Sequence, residues 1–437
     1  MTQAAGTLAQ TRHFEPSRTA GLARLAAFLP RAGGHYASWR NHDHGPDQRA
    51  NVSGLSPYLR HRLLTESEVL SAVLEQHSLA DAGMFVQEVF WRTYFKGHLE
   101  TRPAIWRAYL SGLDHARAAL DVSAGRRTAF RQALAGETGI DCFDAWIAEL
   151  RDTGYLHNHA RMWFASIWIF TLRLPWQLGA DLFLQQLIDG DPASNTLSWR
   201  WVAGLHTRGK TYLATAQNIR ACTDGRFDPR GLAQHAVALD EPDQAPLEGL
   251  NPEALNLALQ PPLRGRIGLL LTAEDLHAPS LVAGSAIAGC QIAAVAGASL
   301  PDDASGHGAS RLPQDFRHAA LDDGLSLAGS TFAVPAVRLP ALSTQAIAAW
   351  AGAEGLRTVV TAHAPVGPVS DTLANITPAL LSEHGVALVR LRRPFDERAW
   401  PHATRGYFAM KTRIPELVAH LADEPSIRSA IDPSARA

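Results

Sequence analysis

The segment QLIDGDPASNTLSWRW, residues 186–201, sets two carboxylates (Asp189 and Asp191), an amide (Asn195) and two indoles (Trp199 and Trp201) within a few turns of chain. Two other stretches place polar groups on otherwise apolar helical faces. QEVFWRTYF carries Glu88, Trp91 and Arg92 at i, i+3, i+4, and HNHARMW carries Asn158, Arg161 and Met162 at the same spacing. Buried charge is costly unless it is paired. Arg161 has natural partners in Asp189 and Asp191, and a planar guanidinium can grip a carboxylate or a phosphate with two bonds. Taken singly, each face reads as structure: Asp191 followed by Pro192 is a good helix start, and tryptophans at helical spacing usually belong to a core. Three such faces in one indole-rich region read as the lining of a cofactor pocket.

The elements that would position these groups are helices. GLARLAAFL, ESEVLSAVLEQHSL, MFVQEVFWRTYFKGHL, CFDAWIAELRDTGYL, ARMWFASIWIFTLRL and DLFLQQLI carry apolar residues at spacings of three and four. Nine of the eleven tryptophans lie at or before Trp201. Residues 1–235 are therefore expected to form a helical domain. The Pro- and acid-rich residues 236–262 read as a linker. Beyond it, RIGLLLTA, QIAAVAGA, RTVVTA and VALVRL are short apolar runs separated by helical stretches, LSTQAIAAWAGAEG and DTLANITPALLSEHG among them. That alternation predicts a Rossmann-like parallel α/β domain over residues 263–430. At 437 residues, two domains are the natural reading.

Composition narrows the function classes. Hydrophobic residues make up 46% and charged residues 19%, as in an ordinary globular protein. No apolar run is long enough to span a bilayer, and the first twenty residues lack the pattern of a signal peptide. Three scattered cysteines (Cys142, Cys222, Cys290) form no disulfide framework and cannot supply four thiolates to an iron–sulfur cluster. A reducing, cytoplasmic compartment fits. The net charge of −2 divides unevenly: residues 1–235 hold 25 Lys+Arg against 21 Asp+Glu (+4), and the rest hold 15 against 21 (−6). The basic excess permits an anionic partner without demanding one. GLHTRGKT, residues 204–211, matches the phosphate-loop pattern, but it follows WRWVA rather than a clear strand. HDHGPDQ (His42, Asp43, His44, Asp47) has metal-ligating residue types and reads better as a solvated loop.

Four stretches, in order, resemble the photolyase/cryptochrome flavoproteins. VSGLSPYLRHRL is similar to that family's T-S-x-L-S-P-Y-L segment, and QEVFWRTYFKGHL to its helix with a W-R-E/D-F-Y core. DTGYLHNHARMWFASIW resembles T-G-W-x-H-N-R-x-R-M-x-x-A-S, and QLIDGDPASNTLSWRW resembles Q-L-I-D-G-D-x-A-x-N-x-G-x-W-Q-W. The resemblance covers about residues 20–230, the helical FAD-binding domain of the family. It implies that Ser53, Leu55, Ser56 and Arg92 line the FAD diphosphate, and that Tyr36 matches an upstream FAD-contacting tyrosine. Asn158, Arg161, Asp189 and Asp191 would surround the isoalloxazine ring, with Asn195 beside flavin N5. Trp199 and Trp176 would be the inner members of a tryptophan chain that feeds electrons to photoexcited flavin. Glu88, Trp91, Met162, Trp201 and Asn158 would face a flipped-out cyclobutane pyrimidine dimer.

The implied function is FAD-dependent, light-driven repair of cyclobutane dimers in UV-damaged DNA; the alternative is a cryptochrome-type photoreceptor acting through a protein partner. A flavin redox protein without a light role is a third, weaker reading. An antenna chromophore is left unspecified. Departures from the family pattern are Val52 for Thr, Tyr155 for Trp and Thr93 for the acid after Trp91–Arg92. The outer tryptophan has no match, its nominal spacing falling near Ser123. The family begins with its α/β antenna domain, whereas here the α/β part follows; residues 359–417 faintly resemble the latter half of that domain, which suggests a permuted order.

Overall fold

The structure is a computed structural model that describes residues 13–241, 263–283, 287, 289–301 and 311–423. Most of the expected linker, residues 242–262, and the end of the expected α/β segment, 424–430, lie outside the described residues.

The first part is helical, as its apolar spacing predicts. Its helices are α1 (Arg18–Phe28), α2 (Gly34–Trp39), α3 (Ser56–Arg60), α4 (Glu66–Gln76), α5 (Gly83–Glu100), α6 (Pro103–Val122), α7 (Ala124–Ala135), α8 (Asp141–Thr153), α9 (Asn158–Ser166), α10 (Trp176–Gln186), α11 (Pro192–Val202) and α12 (Ala216–Cys222). Starts follow local chemistry. Thr65 and Glu68 form a reciprocal capping box on α4. Asp191 caps α11 by accepting from the Ser194 N–H, with Pro192 at the first helical position.

The second part is a five-stranded, all-parallel sheet. Its strands are β1 (Arg266–Leu271), β2 (Gln291–Gly297), β3 (Ala336–Arg338), β4 (Thr358–Ala362) and β5 (Ala387–Leu391). Their spatial order is β3-β2-β1-β4-β5, the doubly wound arrangement. The helices between and after them are α13 (Ala278–Ala283), α14 (Arg311–Phe332), α15 (Thr344–Ala353), α16 (Pro368–His384), α17 (Pro394–Ala399), α18 (Tyr407–Lys411) and α19 (Ile414–Ala419). Leu269 and Leu271 face α14 through Phe316, Leu321 and Leu325, while Leu270 faces α15 and α16 through Ile347, Trp350 and Leu373. The alternation along β1 is the period-two rule of a strand covered on both faces.

The two parts share a core. One apolar cluster runs from Leu63, Leu70 and Phe90 of the helical part to Leu269, Phe395 and Trp400 of the α/β part. Gly97 makes this possible on α5, because a Cβ there would lie 2.9 Å from both Trp400 and Ala403. The chain after β1 and after β4 meets the helices directly. Arg60 grips Glu274 with two hydrogen bonds, His61 bonds the Ala273 carbonyl, and Glu100 accepts from the Val366 N–H and bonds His363. The carboxyl ends of β1 and β4 are the switch point of the sheet, where open α/β folds take ligands. Here helical-part side chains pack against that point.

Buried ion pairs complete the junction. Arg62 bonds Glu66, Asp275 and Asp396, and Arg393 holds both oxygens of Asp275. Burial alone would raise the pKa of Asp275 and Glu66, but the guanidiniums of Arg393 and Arg62 hold Asp275, and those of Arg62 and Arg92 hold Glu66, down to about 2. Because these folded-state values are depressed, the stability they contribute is present above the ordinary carboxylate pKa and is lost as pH falls through the folded value. The thermal midpoint should therefore be flat near pH 6 and fall steeply between pH about 4.5 and 2. A scan of the unfolding midpoint from pH 6 to 2 checks this, and a flat profile refutes it.

Candidate functional site

The loop between α10 and α11 holds Asp189 and Asp191, and each draws a different set of side chains. Asp189 Oδ2 accepts from the Ser56 hydroxyl of α3 and from Arg161 Nη2 of α9 at 2.8 Å. Burial would lower the Arg161 pKa, yet Asp189 raises it, so the guanidinium stays charged. The other oxygen, Asp189 Oδ1, is buried with no hydrogen-bond partner. Asp191 uses Oδ1 as a helix cap, and its Oδ2 faces Arg92 at 3.4 Å, Lys96 at 3.7 Å and Arg60 at 3.9 Å. Burial works to raise the Asp191 pKa, and Arg92, Lys96 and Arg60 overcome it, holding the carboxyl well below its usual range. Lys96 is 1% exposed; burial, reinforced by Arg92, brings its pKa down to about 8. Neither Lys96 Nζ nor Arg92 Nε makes a hydrogen bond.

The remaining sequence-predicted residues have contacts of their own. Ser53 accepts from the Leu55 N–H, and the Leu55 side chain is buried in the core. Asn195, one helical turn into α11, is nearly buried, and its Nδ2 donates to the Ala180 carbonyl, which leaves its carbonyl oxygen as an acceptor. Asn158 is exposed at the first turn of α9, and Met162 is half-buried one turn further on. Tyr36 is buried against Phe28 and Phe85; burial, then the neighbouring Glu88 carboxylate, push its pKa far up. Trp199 lies among Phe164, Trp168 and Phe183, its Nε1 without a hydrogen-bond partner. Trp176 donates from Nε1 to Glu241 at 3.0 Å.

Three of the residues expected to face a lesion, Glu88, Trp91 and Trp201, have a partner that sequence reasoning missed. Glu88 is bonded to Arg40. Burial still raises the Glu88 pKa against the pull of Arg40. Trp91 stacks on Tyr407 of α18, with ring centroids 3.5 Å apart and planes 12° off parallel. Trp201 stacks on Tyr212 at 5.5 Å. Both tryptophans are half-buried, so tyrosines back them while part of each ring stays open. The missed cations had a local signal: Lys96 lies four residues after Arg92 on α5, and Arg60 four residues after Ser56 on α3. Tyr407 had none, being more than three hundred residues from Trp91.

Two competing sites resolve as structure. GLHTRGKT follows the last turn of α11 as consecutive turns and runs into extended chain, with no strand before it and no helix directly after it. It lacks the strand–loop–helix frame of a phosphate loop. In HDHGPDQ, Asp43 accepts from the Gly45 N–H, Trp146 Nε1 and Arg226. Among the described residues, no group of three or more His, Cys, Asp or Glu side chains could hold a metal ion. No described helix is long and apolar enough to cross a membrane.

Residues 85–233 match the family model described as the FAD binding domain of DNA photolyase. The chain is 33% identical over 202 residues to a deoxyribodipyrimidine photo-lyase of Streptomyces griseus, covering 44% of this chain and 42% of that protein. It is 32% identical over 232 residues to a protein of the same name from Thermus thermophilus, covering 53% of each. The chain thus spans about half the length of the curated relatives it matches. Among solved structures, a bacterial class III photolyase from Agrobacterium tumefaciens is similar, with 27% identity, a TM-score of 0.40, and coverage of 48% of this chain and 43% of that one.

Proposed function

We propose that the helical part binds FAD and that the chain uses it, under near-UV or blue light, to split cyclobutane pyrimidine dimers in DNA. The observation that carries this reading is the convergence on the Asp189–Asp191 loop. Side chains from α3, α5 and α9 meet there, and the site still holds buried polar atoms without hydrogen bonds: Asp189 Oδ1, Arg92 Nε and Lys96 Nζ. Native interiors rarely leave such groups unsatisfied. The donor set fits FAD. Arg92 and Lys96 suit a diphosphate, Asp189 Oδ1 suits a ring N–H, and the free carbonyl of Asn195 suits a protonated N5.

FAD, when bound and reduced, would supply the electron that opens the dimer. The residues of this chain would do the rest. Trp91 and Trp201, each stiffened by a stacked tyrosine, would offer flat apolar walls to an extruded base pair. Met162 would fill the irregular space beside them. Glu88, its pKa raised by burial, would hold a base edge by a hydrogen bond, and Arg40 would keep the carboxyl oriented. Within this chain the α/β part follows the helices.

One observation favours the second reading, a photoreceptor without repair: Glu88 already has Arg40 as a partner, and one face of Trp91 is covered. The deciding experiment uses FAD-loaded, chemically reduced protein and UV-damaged oligothymidine, in the light and in the dark. Recovery of thymine absorbance in the light alone is expected, and Glu88→Ala should slow it by about tenfold or more. No recovery with reduced flavin bound overturns the repair reading in favour of the photoreceptor.

A further inference from the structure

A tryptophan chain needs a last donor that can hold the charge long enough to be refilled, and this chain has no match for the usual one. Near Ser123, where its nominal position falls, the structure has a helix cap: Ser123 accepts from the Arg126 N–H at the start of α7. The aromatic contacts lead elsewhere. Trp199 lies against α10 at Gly179, where an added Cβ would come 2.3 Å from its indole. Trp176 is one turn before Gly179 on that helix. From Trp176 the next ring is Tyr109 at 5.6 Å between centroids, and from Tyr109 the next is Trp106 at 5.2 Å, both on α6. All three rings are buried. The series ends at a proton acceptor: Trp106 donates from Nε1 to Asp371 Oδ2 at 3.2 Å, in the first turn of α16, and Asp371 is exposed.

We propose that Trp106 is the terminal electron donor of this protein, delivering electrons across Tyr109 to Trp176 and Trp199, with Asp371 taking its indole proton. The proposal rests on the flavin reading above. In the forward step, Trp199 gives one electron to photoexcited, oxidised FAD; Trp176 refills Trp199, and Trp106 refills Trp176. The oxidised Trp106 indole then breaks its Nε1–H bond, and the proton passes to the Asp371 carboxylate. A soluble thiolate returns one electron to Trp106, becoming a thiyl radical, and the proton goes back from Asp371 to Nε1.

The competing exits lack one requirement each. Trp168 touches Trp199 at 6.3 Å, but its Nε1 donates to the Pro175 carbonyl, which is no proton acceptor. Trp176 donates to Glu241, but that carboxylate is shared with Arg200, whose charge disfavours protonation. The Tyr109 hydroxyl is buried without a hydrogen-bond partner, so its oxidised ring could not shed a proton. Tyr109 therefore bridges and does not store the charge.

The test compares wild type, Trp106→Phe, Asp371→Asn and Trp168→Phe as FAD-loaded protein with a thiol reductant. Two signals are read: bleaching of oxidised flavin under blue light, and the electron paramagnetic resonance of the freeze-trapped radical. Trp106→Phe should bleach at least about tenfold more slowly and lose the long-lived tryptophan signal. Asp371→Asn should shorten the radical lifetime, and Trp168→Phe should behave as wild type. FAD content, and light-driven repair by chemically reduced protein, should be unchanged in Trp106→Phe, because prior reduction bypasses the chain. Bleaching at the wild-type rate in Trp106→Phe, or slow bleaching in Trp168→Phe, overturns the proposal and leaves the flavin reading standing. A wild type that binds FAD and bleaches but repairs nothing removes the repair reading and leaves the electron route standing.

Discussion

Asp189→Ala should yield folded protein that purifies without flavin, its affinity for FAD lowered about 30- to 150-fold. Three facts set that magnitude. Asp189 is 6% exposed, its Oδ2 holds both Ser56 and Arg161, and its Oδ1 is an unused buried acceptor. Removing one partner of a fully buried pair costs about 3–5 kcal/mol. The Arg161 side chain is 22% exposed and still donates to the Leu156 carbonyl, so a value below that range, about 2–3 kcal/mol, is the reasonable expectation. The fold should survive, because Asp191, not Asp189, caps α11. Flavin content from the absorbance ratio, with titration of the apoprotein by FAD fluorescence quenching, gives the answer. Wild-type affinity in Asp189→Ala refutes the assignment. Asp189→Asn, which keeps an acceptor and loses the charge, should fall between the two.

How far the site could be read in advance follows from the range of each interaction. Glu88, Trp91 and Arg92, or Asp191 and Asn195, are related by helical spacing, and a helix converts spacing into a shared face without help from the rest of the chain. The pairing of Arg161 with Asp189 was legible because an arginine on an apolar face needs an acid. Tyr407 on Trp91, Arg40 on Glu88 and Asp371 on Trp106 are contacts between distant segments, and no periodicity encodes them. The fold shows the same division. Four strands announced themselves as apolar runs because both of their faces are covered. β3 did not: it is three residues long at the sheet edge, and all three are exposed. α14 was also missed, its pattern diluted by Gly324 and Gly329. Gly324 has a packing reason, since a Cβ there would lie 3.1 Å from the Leu276 carbonyl oxygen. Asp191 was not a choice between helix cap and site residue. Its two oxygens do one job each.

Arg62→Met should be the most destabilising single change outside the flavin site, at about 3–5 kcal/mol. Arg62 is 2% exposed and sits where the two parts join, bonded to Glu66 of its own part and to Asp275 and Asp396 of the other. Burial would lower its pKa, but Asp396, Glu66 and Asp275 hold the guanidinium firmly charged. Methionine fills a similar volume but leaves these buried carboxylates short of their shared cation. Asp275 keeps Arg393; Asp396 loses the fork that held both of its oxygens. Arg62→Lys restores the charge without the fork and should recover only part of the loss. Arg62 also has φ +48, the left-handed region that non-glycine residues adopt at a cost. The ion pairs must outweigh that strain, so Arg62→Gly should fare no worse than Arg62→Met despite its missing side chain. Urea unfolding at pH 7 measures the loss, and a change under about 1 kcal/mol would show that the network is dispensable. The acid limb gives an independent check. With Arg62 gone, Asp275 and Glu66 lose part of what depresses their pKa values. Less stability is then left to lose on acidification, so the variant should show a shallower fall in midpoint between pH about 4.5 and 2 than wild type.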